Sequence, residues 1–265
     1  MPGDLFTGML FFILAEIGYR AAQVFYNALL PEIATPEEMP KISGYGWAIG
    51  SFGGIVCLLI VLAMITLVGG NFVTRLSFLV TAVFYLLSVL PTFLWLRERA
   101  EPQRLPQGVS YLKVAMVRLG NTFKAVRNYK EYIKFIVAFL IYNDGIMMAL
   151  DFAAIIGATL FGMEQQQLII FMIIVQITSV IGAYLFGIIA DRSNGKIALV
   201  ISLILMIVAI LWMLVVDSLT VFYVIGGLAG FALTGVQSVS RAMVGQYAPE
   251  GKSAEFYGFF EVGGR

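Results

Sequence analysis

The chain has no histidine and only one cysteine, Cys57, in 265 residues. Without histidine it lacks both the commonest metal ligand and the commonest general base, and a lone thiol cannot build a disulfide framework. No cofactor, no metal and no enzymatic chemistry are therefore expected. Charge is scarce as well: charged residues make up 12% and hydrophobic ones 60%, against about 25% and roughly 45 to 50% in soluble domains. That leaves too little polar surface for a water-soluble fold of this size. The short alternation of apolar and polar residues that marks a membrane barrel is missing too. Met1, Pro2, Gly3 and Asp4 supply no basic segment ahead of the first apolar run, and that run is too long for the core of a cleavable signal.

What the chain does contain is seven long apolar runs, near Leu5 to Leu30, Ser43 to Val68, Val73 to Leu96, Tyr132 to Leu160, Leu168 to Ala190, Ile197 to Val216 and Leu219 to Val244. Each reaches the roughly 20 residues a helix needs to cross hydrocarbon. A backbone in lipid must bond to itself, so the expected fold class is an all-α membrane protein of about seven transmembrane helices. The formal net charge is only +1, but the cations are strongly sorted. Lys41 occupies the first gap, Arg97 to Lys134 crowd the third, Arg192 and Lys196 lie in the fifth, and Arg241 and Lys252 border the last, whereas the even gaps hold only Arg75. By the positive-inside rule, segments 31–42, 97–131, 191–196 and 247–254 are cytoplasmic and the amino terminus is outside. The protein is expected to be an integral, multi-pass protein of a plasma membrane if bacterial or of a vacuolar membrane if fungal.

The longest break divides the chain into a three-helix part (1–97), a cytoplasmic linker (98–131) and a part with four helices and the start of a fifth (132–265). Within the linker, Leu112, Ala115, Met116, Leu119, Phe123 and Val126 recur at intervals of three and four, which predicts an amphipathic helix lying on the membrane surface or on the bundle's own ends. Thr35, Pro36, Glu37 and Glu38 have the form of a capping box and predict a short helix there. Gly46, Gly50 and Gly54, and again Gly226 and Gly230, recur every four residues as small faces for close helix packing.

Polar residues inside the spans mark the candidate pathway. Glu16, Arg20, Gln23 and Asn27 fall within about 60° of one another around the first helix. They read either as a self-neutralised pair that sets packing or as a cavity wall. Asn143 and Asp144 sit near the middle of the fourth span beside Gly145, where the helix can loosen toward a cavity, with Asp151 seven residues on. Asp144 is the first candidate for a proton or cation site, because a carboxyl withdrawn from water takes up a proton more readily. In the seventh span Gly227, Gly230, Thr234, Gln237, Ser238 and Arg241 share a face, and Arg241 can bind a carboxylate bidentately or reach out to the interface. Gln176 and Ser179 form a weaker polar pair in the fifth span.

Gly187, Ala190, Asp191, Arg192 and Lys196 join the fifth and sixth spans in a stretch that resembles the cytoplasmic loop signature of the major facilitator superfamily, with Asn194 at an expected glycine. Asn tolerates the left-handed backbone such a turn needs. The loop is assigned to gate control through Gly187, Asp191, Arg192 and Lys196. The stretches from Phe25 to Pro31, Ser43 to Gly50, Tyr142 to Gly145, Gln237 to Arg241 and Glu255 to Gly258 narrow the resemblance to the vacuole-effluxer-like branch. That resemblance implies a twelve-helix, two-bundle transporter, of which this chain would hold helices four to ten and the opening of eleven, truncated at both ends. It also implies secondary transport of a small polar solute, an amino acid among the options, driven by a proton or other cation. The expected partners are that solute, membrane lipids, protons or a cation, and missing helices carried on another chain; no nucleic acid is expected. The alternative is a membrane scaffold or receptor that does not transport, or a fragment inactive by itself.

Overall fold

The computed structural model describes residues 5–96, 110, 113–117, 120, 126–249 and 251–263. They form α1 (Leu5–Ala28), α2 (Leu30–Ile33), α3 (Met39–Leu67), α4 (Gly70–Trp95), α5 (Lys130–Leu160), α6 (Gln165–Arg192), α7 (Gly195–Met213), α8 (Leu219–Tyr247) and α9 (Ser253–Gly263), with no strand among the described residues. Seven of these helices are long and apolar enough to cross a membrane, the first running on through α2 to Ile33. The protein is all-α and multi-pass. The predicted amphipathic helix lies mostly outside the described residues; 113–117 are helical.

The helix ends follow local chemistry. α3 and α4 are joined across Gly69 and Gly70, both at positive φ (67° and 86°), a backbone that side chains rarely tolerate. Glu164 and Gln167 cap α6 reciprocally, with the Glu164 amide donating to Gln167 Oε1 at 2.9 Å. At Thr35 only half a capping box forms: the Thr35 hydroxyl donates to Glu38 Oε2 (3.0 Å), and its amide reaches the same oxygen at 3.4 Å. Residues 36–38 make a turn that feeds directly into α3, so the short helix predicted there is absent; the helical turn lies earlier, at Leu30–Ile33.

Packing divides the chain into two compact units, each drawing residues from both sides of the 98–131 segment. Unit 1 comprises Met1–Met39, Arg99–Asp144 and Met243–Arg265. Its core is aromatic. The Tyr132 hydroxyl donates to the Phe256 carbonyl at 2.7 Å, the Phe139 and Phe260 rings stack at 4.2 Å, and Phe135 meets Tyr247 at 5.8 Å. Gln246 Nε2 on the last turn of α8 donates to the Pro36 carbonyl at 2.8 Å.

Unit 2 comprises Pro40–Glu98 and Gly145–Ala242, and within it α6 packs closely against α8. Gly226 lies against the Phe171 ring, Gly235 against Phe186, and a Cβ on Gly230 would sit 2.5 Å from the Val175 carbonyl oxygen. This closeness lets side-chain hydroxyls reach the neighbouring helix's backbone: Ser179 Oγ donates to the Gly230 carbonyl (3.0 Å) and Thr234 Oγ1 to the Ser179 carbonyl (2.9 Å). Toward one end, Phe171 stacks on Phe222 at 5.0 Å within a cluster that includes Met163 and Ala153.

Candidate functional site

In unit 1 the polar stripe of α1 is split between two environments. Arg20 pairs with Glu16 at 2.5 Å, and both side chains stay well exposed, at 42% and 38%. Gln23 is half-buried, and Asn27 is buried. Asn27 Nδ2 donates to Glu261 Oε1 of α9 at 2.6 Å, a contact that spans almost the whole chain. Glu261 is not among the residues singled out above. The signal was present, since an acid sits inside the apolar opening of the last helix, but nothing in the periodicity says which helix it meets.

Asn143 is 1% exposed, while the adjacent Asp144 is exposed and has no hydrogen-bond or ion-pair partner among the described residues. Successive residues on a helix point about 100° apart, so burying one turns the next outward. α5 is unbroken through Gly145, so the loosening expected there is absent. Asp151 is exposed as well.

In unit 2 the buried cation is Arg241, 6% exposed. Its Nε donates to Ser43 Oγ (2.9 Å) and its Nη2 to the Ser43 carbonyl (3.2 Å), and Ser43 Oγ in turn donates to the Ser238 carbonyl at 2.7 Å. Ser43 thus ties the start of α3 to the last third of α8. The guanidinium is turned inward rather than reaching toward the interface. Gln237, one turn earlier on α8, is half-buried. Ser43 opens both the second apolar run and a stretch of family resemblance in the sequence, but its role depends on a partner 198 positions away.

One residue along α3, a Cβ on Gly44 would lie 2.6 Å from the Ala183 carbonyl oxygen and 2.9 Å from Gly187 Cα, so two backbones meet without intervening side chains. Tyr45 stacks on Tyr184 at 5.7 Å beside this contact. Gly187 is buried there, whereas Asp191, Arg192 and Lys196 are exposed, and neither Asp191 nor Arg192 makes an ion pair among the described residues. Asn194 does not take the left-handed backbone expected of it. Its φ and ψ are −166° and 137°, and its side chain caps α7 by accepting the Lys196 amide at 2.9 Å, a role that needs extended backbone at the cap. Among the glycines, Gly226 and Gly230 are tightly packed, Gly54 approaches Gln176 Nε2, Gly50 faces open space and Gly46 is half-buried.

These contacts gather at the helix ends that the charge pattern assigns to the cytoplasm. They can hold helices together reversibly, because a glycine–glycine contact and a few hydrogen bonds exchange without repacking large side chains.

A family model described as "Vacuole effluxer Atg22 like" matches residues 2–265. Among curated proteins, the chain is 25% identical over 264 residues to an uncharacterized MFS-type transporter, YxiO, of Bacillus subtilis (strain 168), covering 97% of this chain and 61% of that protein. It is 26% identical over 244 residues to autophagy-related protein 22-1 of Penicillium rubens and 28% identical over 250 residues to autophagy-related protein 22 of Coccidioides immitis (strain RS), each match covering 84% of this chain and 41% of the relative. The chain thus spans about three-fifths of the bacterial relative and two-fifths of the fungal ones. No solved structure matches.

Proposed function

The chain belongs to the Vacuole effluxer Atg22 like family, and we propose from that membership that it forms part of a secondary transporter carrying a small polar solute by alternating access. The family is one of transporters, not of enzymes. The solute class assigned is an amino acid or a zwitterion of similar size. What supports it is the mixed charge and amide character of unit 1, with Glu16, Arg20, Gln23 and Asn27 on α1 and Asn143 on α5, groups suited to an ammonium, a carboxylate and a neutral polar end. Transport is coupled to a proton or small cation. The partners are lipids and further transmembrane helices beyond the seven in hand, not nucleic acid.

In this reading the cluster at the start of α3 works as a clamp on the cytoplasmic side. Gly44 against Gly187, Tyr45 on Tyr184 and Arg241 on Ser43 hold α3 to α6 and α8, and their separation opens that side. Arg241 then serves the clamp, and the 191–196 loop moves with it.

The observation that carries the reading is the family match along residues 2–265. The test is uptake of labelled amino acids into vesicles containing the protein, expressed alone and alongside the segments its relatives carry beyond the matched region. Saturable uptake that a pH gradient stimulates is expected in at least the second case. Uptake equal to that of empty vesicles in both cases would leave the scaffold reading in its place.

A further inference from the structure

We propose that the indole N–H of Trp47 and the hydroxyl of Ser238 together receive the carboxylate of the transported solute; the inference deepens the transport reading and rests on it. Both groups belong to unit 2, on α3 and α8, two of the helices long and apolar enough to cross a membrane. Trp47 Nε1 and Ser238 Oγ are out of water, and neither has a hydrogen-bond partner among the described residues. Ser238 is wholly buried. Inside a span an unmet donor is costly, so a pair of them on neighbouring helices points to an acceptor that both can reach.

The packing brings the two groups together. Gly44 meets Ala183 and Gly187 of α6, whereas Gly54, ten residues on, meets Gln176, so α3 runs antiparallel to α6. α6 and α8 run parallel, from Phe171 beside Gly226 to Ser179 beside Thr234. α3 and α8 are therefore antiparallel where the Ser43 hydroxyl donates to the Ser238 carbonyl at 2.7 Å. Side chains on a helix lean toward its amino terminus. Ser238 thus leans toward the earlier part of α8, and Trp47, one turn beyond Ser43 on α3, leans back toward Ser43. Around α3, Trp47 falls about 40° from Ser43, which meets α8, and about 60° from Gly44, which meets α6, so it sits on the arc that faces both helices.

The donor set decides the ligand. An indole N–H only donates, and a hydroxyl can turn its hydrogen toward whatever accepts it. Of the two ends of an amino acid, the ammonium only donates and the carboxylate only accepts, so the carboxylate is the end that fits both groups. Hydrogen bonds to a charged acceptor are also stronger than those to a neutral oxygen. Ser43 and Arg241 are already engaged with each other, and the assignment does not draw on them. Further along α3, Ser51 is 7% exposed and Gln176 Nε2 lies against Gly54, which extends the polar line beyond the pair.

Trp47 reports on its own site. The chain has three tryptophans, and Trp95 and Trp212 are exposed, so in the full chain carrying Trp95→Phe and Trp212→Phe the tryptophan emission comes from Trp47. In detergent, L-leucine and L-alanine are titrated against isoamylamine and ethylamine, their counterparts without the carboxylate. At least one amino acid is expected to change the emission saturably, and neither amine to do so. Ser238→Ala should weaken that binding about tenfold or more. It should leave Tm equal or higher, because the hydroxyl it removes has no partner in the fold. Where the two-phenylalanine variant does not elute from a sizing column like wild type, the same series is read in the wild-type chain as the rise in Tm that a bound ligand produces. Equal responses to amine and amino acid, no response to either amino acid, or a Ser238→Ala variant that melts earlier with binding unchanged would overturn the proposal. Selective binding without uptake into vesicles would instead retain the site and remove the transport reading; amino-acid uptake that Ser238→Ala and Trp47→Phe both leave unchanged would do the reverse.

Discussion

α8 and α1 both run a polar stripe along an apolar helix, yet half of α8's apolar window is buried and none of α1's is. In α8 the stripe begins with glycines that bring α6 within backbone distance, so Thr234 finds a carbonyl on a neighbouring helix. Arg241 finds Ser43 on α3. In α1 the charged pair answers to itself at four-residue spacing, and within the stripe Asn27 is the member seen to hydrogen-bond to another helix among the described residues. The contrast teaches that polarity within a span is not one signal. Where small residues let backbones approach, polar groups become architecture; where they do not, the charged groups stay exposed.

The sharpest way to break this comparison is to overfill α8. Gly230→Leu puts a side chain onto the Val175 carbonyl and is expected to destabilise unit 2 by about 3 kcal/mol or more, read as a large fall in Tm in detergent. Gly50→Leu, with nothing within 4 Å, is the matched control and should leave Tm nearly unchanged. Equal losses in the two variants would erase the difference between packed and open glycines.

Arg241→Met comes next. It removes two charge-assisted bonds to Ser43 and should cost about 2 kcal/mol, with Ser43→Ala losing less because the Ser43 carbonyl remains. A smaller step is Asn194→Ala, which removes the α7 cap at a cost of about 1 kcal/mol, measured by the same melt. It tests whether the loop's asparagine acts as a cap or through a special turn.

The smallest stability effect is expected at α1. Glu16→Gln should cost about 0.5 kcal/mol, as for other exposed pairs at this spacing, while lowering solute uptake severalfold. A stability loss as large as that of Arg241→Met, with uptake intact, would make the α1 stripe architectural and collapse the distinction between the two helices.

Much of this was legible along the chain. Spans depend on windows of some twenty residues or fewer, as with the seven apolar runs. The α1 stripe was legible too, because residues at offsets of 0, 4, 7 and 11 must share a face. Less legible was the fate of each polar group. Asn143 and Asp144 are neighbours placed together near the middle of the fourth span, with Asp144 the first candidate, and only the direction in which α5 presents its core shows that Asn143 is the buried one. Residues 36–38 form a turn where the sequence predicts a short helix, since Thr35 and Glu38 satisfy each other without a helix between α2 and α3.

By itself the sequence determined that this is a multi-pass helical membrane protein, and its cation sorting predicts which loops face the cytoplasm. The physical reason is that transfer into hydrocarbon is priced residue by residue, and charge sorting is read loop by loop. Only the tertiary structure decided that Arg241 belongs to Ser43 and Asn27 to Glu261, across 198 and 234 positions of chain. Which two backbones come close enough for such bonds depends on how all the helices pack together, and no local period in the chain carries that information.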